Sequence, residues 1–502
     1  MVPLEEGRQD PGIDVGTSTV PADEVGHVPF MPSPTPSRCP SEVFAPISVD
    51  ACVGTAIIGC ANQLTSTAIQ VFVPFILAGF GSTLAGILLD VVKDWPVYVT
   101  VHQIFVLIPP LLGLNGNLEQ TLVARLSTQA NLGNLNRVRE QLPMIFANVA
   151  LLQCQSTVAT FLACTLAVLK GLAIDGLWDP SHIAVLYGGA LAAVNTASLF
   201  LSFVMSTVVV ISTKCEKNPD NIAPAIAASF GDLTTLFLLS GYSSFLLYNP
   251  YLAPLVVLLC LLPLPMWIVL ARRNSVSREV LRVGWLPIVV ALTVSSFGGY
   301  ILDYAVIAYP PIALHLSAVN ALGGNLAAVF SCSLSSYLNR LTPLGDIPFG
   351  ERLCVGPLQM YTRGEMANVA YVLVGVVVPG QTLFAVLSRI LRFGKVSMTI
   401  TFFAAYIGAS LAQVLVLLYL ARLIVYRLWS WGVDPDNAAI PCLTGCGDFL
   451  GTGFLTMAYA LLYYMGDKSS IREEELPSHV RVTTHLTAHA STSTIGYNAT
   501  MA

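Results

Sequence analysis

Charge is what this 502-residue chain has least of: 11% of its residues are charged while 55% are hydrophobic, against roughly 25% charged in a soluble domain. That scarcity excludes an ordinary water-soluble protein, and a mean hydropathy of +0.70 makes the chain a polytopic membrane protein whose solvent is the lipid bilayer. A basic surface is missing as well. The net charge is −5 and most charges lie in loops and tails, so no nucleic-acid partner is expected. Eleven cysteines include no CxxC pair, which removes the commonest thiolate metal and redox spacing. Cys442 and Cys446 stand four apart on an apolar stretch and read as small hydrophobes. The opening residues do not read as a signal peptide, and Glu5, Glu6 and Asp10 argue against a mitochondrial presequence.

What is present is a set of long apolar runs between two polar tails. Residues 1-62 are rich in Pro, Ser, Thr and acids, as in Met31-Pro32-Ser33-Pro34-Thr35-Pro36-Ser37, the composition of a disordered tail. Residues 467-502 are polar again; His485 and His489 read as solvated, and Asn498-Ala499-Thr500 is a glycosylation sequon. Stretches of spanning length, about 20 residues, lie near 67-92, 98-114, 143-170, 182-213, 221-247, 250-270, 284-306, 308-327, 367-392, 397-425 and 437-465. They predict an all-α membrane protein of about eleven transmembrane helices. The stretches near 98-114 and 308-327 run into Gly-Asn sequences instead of charged loops. Helix breaks are expected there, and such breaks often mark a binding site.

The chain is also duplicated. Asn218-Pro219-Asp220-Asn221 leads to Gly231-Asp232 as Asp434-Pro435-Asp436-Asn437 leads to Gly447-Asp448, with six identities at one offset of 216. Upstream, Gly86 to Asp90 matches Gly299 to Asp303, and Gly116-Asn117-Leu118 matches Gly324-Asn325-Leu326. The reading is two five-helix repeats, 63-248 and 281-466, joined by a linking helix and basic loop at 249-280. Five is odd, so repeats joined directly would be inverted. The unpartnered linking helix restores parity and makes the repeats parallel, related by an axis along the membrane normal. Arg125, Arg137, Arg139, Lys214, Lys217, Arg272, Arg273, Arg278, Arg282, Arg340, Arg352, Arg363, Arg422 and Arg427 fall near loops on one side, against Lys93, Lys170, Arg389, Arg392, Lys395 and Lys468 on the other. The positive-inside rule then puts the N-terminus in the cytoplasm and, after eleven spans, the C-terminus outside the cell, with the plasma membrane as the expected residence.

An ionisable residue inside an apolar span is costly and marks a pathway for something polar. With the last span of each repeat starting near Asp220 or Asp436, a rise of about 1.5 Å per residue puts Asp232 and Asp448 about 18 Å deep, near the bilayer middle. Eleven residues make about three turns plus 20°, so Asn221 shares a face with Asp232, and Asn437 with Asp448. Ala225, Ala228 and Ser229 fall on that stripe in one repeat, Pro441, Thr444 and Gly445 in the other. Small or kinking residues let helices approach and leave backbone carbonyls reachable along a pore. Asn117, Asn325, Asp90 and Asp303 are further candidates for cation binding. The bland alternatives are helix caps for the two asparagines and water-facing span ends for the two acids. Asp220 and Asp436 read as helix caps. Two carboxylates with amide and carbonyl oxygens suit a hard divalent cation, and Mg2+ keeps several waters, so one or two carboxylates suffice.

The same residues carry a resemblance. Asp434-Pro435, Pro441, Thr444 and Asp448 are similar to the last membrane helix of the MgtE-type magnesium channels. Adding Gly113-Leu114-Asn115-Gly116-Asn117-Leu118-Glu119, Arg125-Leu126-Ser127-Thr128 and Asn218-Pro219-Asp220-Asn221, the chain resembles solute carrier family 41 over roughly residues 67-465. The resemblance implies Mg2+ transport, with Asp232 and Asp448 as the metal-binding pore aspartates. It also implies no enzyme activity, no cofactor beyond Mg2+ as substrate, and one chain imitating a bacterial dimer as a pseudo-dimer. The second copy departs from the family pattern: it reads Ser333-Leu334-Ser335-Ser336, and Ala327 stands opposite Glu119, so a charge pair is lost. The large CBS-containing sensor of the bacterial relatives is expected to have no counterpart in the polar N-terminal tail.

Two other readings stay open at this level. A Na+-coupled Mg2+ exchanger needs the same oxygen-lined path as a channel. Gly445-Cys446-Gly447-Asp448 also spells the GxGD signature of intramembrane aspartyl proteases, which need a second Asp to share a proton. Asp303 is followed, not preceded, by Tyr304, and Ser229-Phe230-Gly231-Asp232 breaks the signature in the other repeat.

Overall fold

The computed structural model describes residues 75–131, 138–176, 179–215, 223–362, 365–392 and 399–466. The first part comprises α1 (Phe75–Val92), α2 (Pro96–Thr100), α3 (Gln103–Asn131), α4 (Val138–Lys170), α5 (Pro180–Lys214) and α6 (Ala223–Tyr248). A linking segment follows, α7 (Ala253–Leu261), α8 (Leu264–Ala271) and α9 (Ser275–Val283). The second part comprises α10 (Trp285–Ala308), α11 (Ile312–Leu341), α12 (Pro357–Thr362), α13 (Glu365–Leu391), α14 (Ile400–Ser430) and α15 (Pro435–Tyr464). Among the described residues there is no strand. Backbone groups in lipid must be satisfied within their own segment, and helices do this.

Ten segments among the described residues are long and apolar enough to cross a membrane. The expected eleventh, near 98-114, is divided between α2 and the start of α3. α3 has the length, 29 residues, but Asn115, Asn117, Glu119 and Gln120 make it too polar to qualify. Its position explains that composition: Leu107, Leu111, Leu118 and Leu122 are buried, so α3 faces protein on most sides and needs no lipid-facing coat.

The expected helix breaks are not there. α3 runs through Gly116-Asn117 and α11 through Gly324-Asn325 without interruption. A helical glycine costs only about 1 kcal/mol relative to alanine, which the packing of α11 on α14 and α15 and of α3 on α4, α5 and α6 outweighs. Capping is likewise adjusted: the cap of α15 is Asp434, whose side chain accepts from the Asp436 amide at 3.1 Å, with Pro435 in the first turn. Asp436 is already helical, and Asp220 lies outside the described residues.

Equivalent helices keep equivalent company. α3 packs on α4, α5 and α6, as α11 packs on α13, α14 and α15. α1 and α10 cross over. Phe75 of α1 joins a core made by Phe330, Leu373, Phe384, Leu417 and Leu443 of α11, α13, α14 and α15. Ile288, Leu292 and Leu302 of α10 join a core with Leu107, Leu111, Leu152 and Cys164 of α3 and α4. Gly86 and Gly299, matched in the sequence repeat, make these crossings possible. A Cβ on Gly86 would collide with the Leu314 carbonyl of α11, and one on Gly299 with the Val106 carbonyl of α3. Without a hydrophobic force between helices in lipid, close backbone approach at small residues supplies the packing energy. The described helices before and after the linking segment therefore interlock.

The linking segment differs in kind. Within Pro250–Ala271 an 18-residue window has a mean hydropathy of 2.5 and only 6% of it is buried, so the segment lies against α4 and α5 with most of its surface toward lipid. The expected single helix is two, α7 and α8, because Pro263 and Pro265 interrupt the backbone hydrogen-bond ladder.

Candidate functional site

Asp232 sits inside α6 and Asp448 inside α15, and each accepts a hydrogen bond from a serine on a crossing helix. Ser82 Oγ of α1 donates to Asp232 Oδ2 at 2.9 Å, and Ser295 Oγ of α10 donates to Asp448 Oδ2 at 2.5 Å. Each serine stands four residues before one of the paired glycines, Gly86 and Gly299. The two contacts therefore occupy matching positions in the repeat. Hydroxyl-to-carboxylate bonds of this kind are roughly twice as strong as neutral ones, and they aim a carboxylate while leaving its second oxygen for another partner. Asp232 Oδ2 also receives Ser317 Oγ of α11 at 3.4 Å.

Both carboxylates open onto one cavity of about 50 Å3. α3 lines it with Pro109, Gly113, Gly116, Asn117 and Gln120, and α11 with Ser317, Asn320 and Asn325. Ala85 and Leu89 of α1 and Thr444 of α15 also line it, with apolar side chains such as Leu112, Leu236 and Leu316 between the polar ones. The described lining residues include no Lys or Arg, so two acids set the sign of the field and favour a cation. Six waters need roughly 60–90 Å3 at about 10–15 Å3 each; a fully hydrated ion exceeds the space. Among the described residues no group of three or more His, Cys, Asp or Glu could hold a metal. The donor set is thus two carboxylates with neutral amides and hydroxyls.

Gly113 is the tightest part of the wall. A Cβ there would lie 2.6 Å from Asp448 Oδ2, inside van der Waals contact, so only glycine leaves the carboxylate its place. Behind the acids lies a second set of buried polar contacts. Asn115 Nδ2 of α3 donates to Thr235 Oγ1 at 2.6 Å, and Ser198 Oγ of α5 donates to Asn115 Oδ1 at 3.1 Å. In the other half Gln413 of α14 donates to the Gly447 carbonyl, next to Asp448, at 3.0 Å.

The residues singled out from sequence divide into three groups. Asp232, Asp448, Asn117, Asn325 and Thr444 meet at the cavity. Asp90 and Asp303 do not: Asp90 pairs with Lys93 at 2.7 Å and Arg392 at 2.5 Å, and Asp303 with Lys170 at 2.5 Å. Gly445 packs against the Ala291 carbonyl of α10, and Pro441 is buried within α15. Asn221 lies outside the described residues, as do the side chains of Ala225, Ala228, Ser229 and Asn437.

Sequence reasoning missed Ser82, Ser295, Ser317, Asn320 and Gln120. Hydroxyls and amides are common in apolar helices, but extending the Gly86/Gly299 register by one turn would have found Ser82 and Ser295 as a matched pair. Glu119, whose partner is lost in the second copy, is fully buried and receives Ser202 Oγ at 3.4 Å.

Comparison with known proteins adds a separate line of support. The MgtE family profile, described as a divalent cation transporter, matches residues 108–242 and 316–458. Solute carrier family 41 member 2 of Xenopus laevis is 39% identical over 80% of this chain and 73% of its own length. The Gallus gallus member 2 is 40% identical over 80% of this chain and 71% of its own length. Solute carrier family 41 member 3 of Rattus norvegicus is 36% identical over 82% of this chain and 91% of its own length. No solved structure matches.

Proposed function

The chain belongs to solute carrier family 41 and to the MgtE family of divalent cation transporters, and from that premise we propose that it carries Mg2+ across a membrane between its two repeats. It is an integral multi-pass membrane protein and a transporter, not an enzyme. The observation that carries the proposal is the pair of matched Ser–Asp contacts, Ser82–Asp232 and Ser295–Asp448, at one cavity whose described lining residues include none that is basic. Asp232 and Asp448 supply the charge, and Asn117, Asn325 and Thr444 supply neutral oxygens. Mg2+ demands near-octahedral geometry and keeps several waters, so two protein carboxylates with bound water complete its shell. The 50 Å3 of space fits an ion that has given up part of its hydration, or a closed state that widens on transport. In this reading the repeats are parallel, the single chain is a pseudo-dimer, and the N-terminus faces the cytoplasm of a cell whose plasma membrane it crosses.

The test is Mg2+ uptake into proteoliposomes, followed with an internal dye, with and without a Na+ gradient. Uptake above that of protein-free vesicles is expected; none would remove the proposal. Uptake that ignores Na+ would eliminate the Na+-coupled alternative, and uptake that requires it would establish that alternative.

A milder variant probes the wall. Gly113→Ala pushes the Asp448 carboxylate off its Ser295 bond, worth about 1.5 kcal/mol for a charged acceptor, so Mg2+ uptake should fall about tenfold with the unfolding temperature nearly unchanged. Uptake at the unsubstituted rate would show that Asp448 needs no fixed position.

A further inference from the structure

The linking segment has no counterpart in the repeat, and it ends in a dense basic patch. Arg272, Arg273, Arg278 and Arg282 are all exposed, and among the described residues none of the four makes an ion pair with a carboxylate. Their placement is fixed. Arg272 directly follows the lipid-facing Pro250–Ala271 segment, so the patch begins where hydrocarbon ends. Asn274 caps α9 by accepting from the Val276 amide at 2.9 Å. Val280 and Leu281 pack with Ala150, Leu151 and Ala271, which pins one face of α9 to α4 and turns Arg278 and Arg282, one helical turn apart, to the other. Arg278 Nε donates to the Arg272 carbonyl at 2.9 Å, folding the helix back against the end of the span. Trp267 and Trp285 bracket the patch, and the Trp285 indole donates to the Leu281 carbonyl at 2.7 Å. Tryptophans of this kind mark the headgroup level.

We infer that Arg272, Arg273, Arg278 and Arg282 form a binding surface for anionic phospholipid headgroups on the linking segment. Guanidinium forks match phosphate oxygens in pairs, and four to eight basic residues just beyond a span attract anionic lipid. None of the four arginines lines the cation cavity. Its arginines also differ from the basic residues of the other membrane side, where Lys93, Lys170 and Arg392 are already bound to Asp90 and Asp303.

The experiment measures how strongly the full chain, reconstituted in phosphatidylcholine vesicles, associates with spin-labelled phosphatidylserine relative to spin-labelled phosphatidylcholine. Arg278→Gln with Arg282→Gln leaves Arg272 and Arg273 at the span end, so the topology signal is retained. Attraction near the surface corresponds to roughly fivefold per arginine, so this double variant should lose about 25-fold in relative association. Arg278→Lys with Arg282→Lys should keep most of it. Equal phosphatidylserine preference in the glutamine variant overturns the inference. The unsubstituted protein gives an independent check that needs no folded variant: its preference must fall as salt rises, and a salt-independent preference also overturns it.

Discussion

Asp232→Asn and Asp448→Asn should each lower Mg2+ uptake in proteoliposomes by at least tenfold, and the double variant should match protein-free vesicles. Asparagine keeps the size and one oxygen but removes a unit charge. At about 4 Å and an effective dielectric of about 20, one unit-charge pair is worth about 4 kcal/mol, and a third of that already amounts to a tenfold change. Because Ser82 and Ser295 hold the two carboxylates in matched positions on one cavity, the two single variants should be similarly impaired. Normal uptake in both, at equal reconstituted protein, would sink the pore assignment. Loss confined to Asp448→Asn would mean that the two halves are not equivalent in transport.

The second large effect is on stability. Asp90 is 5% exposed and lies between Lys93 and Arg392. Asp90→Ala leaves the buried Lys93 ammonium without its carboxylate, and breaking such a pair costs about 3–5 kcal/mol. Chemical unfolding in detergent should register that loss. Asp90→Leu combined with Lys93→Met should recover most of it, because apolar side chains of similar volume often replace a buried pair without penalty, and Arg392, at 26% side-chain exposure, reaches water. Unchanged stability together with an altered Mg2+ dependence of uptake would instead make Asp90 a cation ligand.

Much of this was legible in the sequence, for identifiable reasons. Spans announce themselves by hydropathy because lipid tolerates few charges, and Asp232 and Asp448 stand out for the same reason, each an acid inside an apolar run and each repeated. Asp90 and Asp303 were further candidates, yet Asp90 pairs with Lys93 three residues on, a countercharge the sequence did show, and with Arg392, while Asp303 pairs with Lys170; these last two lie more than a hundred residues away, where no local pattern announces them. The Gly-Asn sites misled as helix breaks, though Asn117 and Asn325 do line the cavity, because glycine weakens a helix only slightly and neighbours on several sides outweigh that. The crossing of α1 and α10 was invisible for a related reason: hydropathy ranks a helix as apolar without saying whose apolar face it meets. Gly86 and Gly299 carried the hint as matched small residues, but small residues are common in spans, and only the carbonyls of Leu314 and Val106 give them a partner.

That crossing sets a timetable for synthesis. α1 leaves the ribosome first, but the α11 backbone against which Gly86 closes is encoded more than two hundred residues later. At about 5–20 residues per second, α1 waits roughly 10–45 seconds in the bilayer for that backbone, while the acid that takes the Ser82 hydrogen bond emerges sooner and Arg392, the partner of Asp90, emerges later. For that interval the insertion machinery, or lipid alone, has to shelter a helix whose polar groups do not yet all have their final partners.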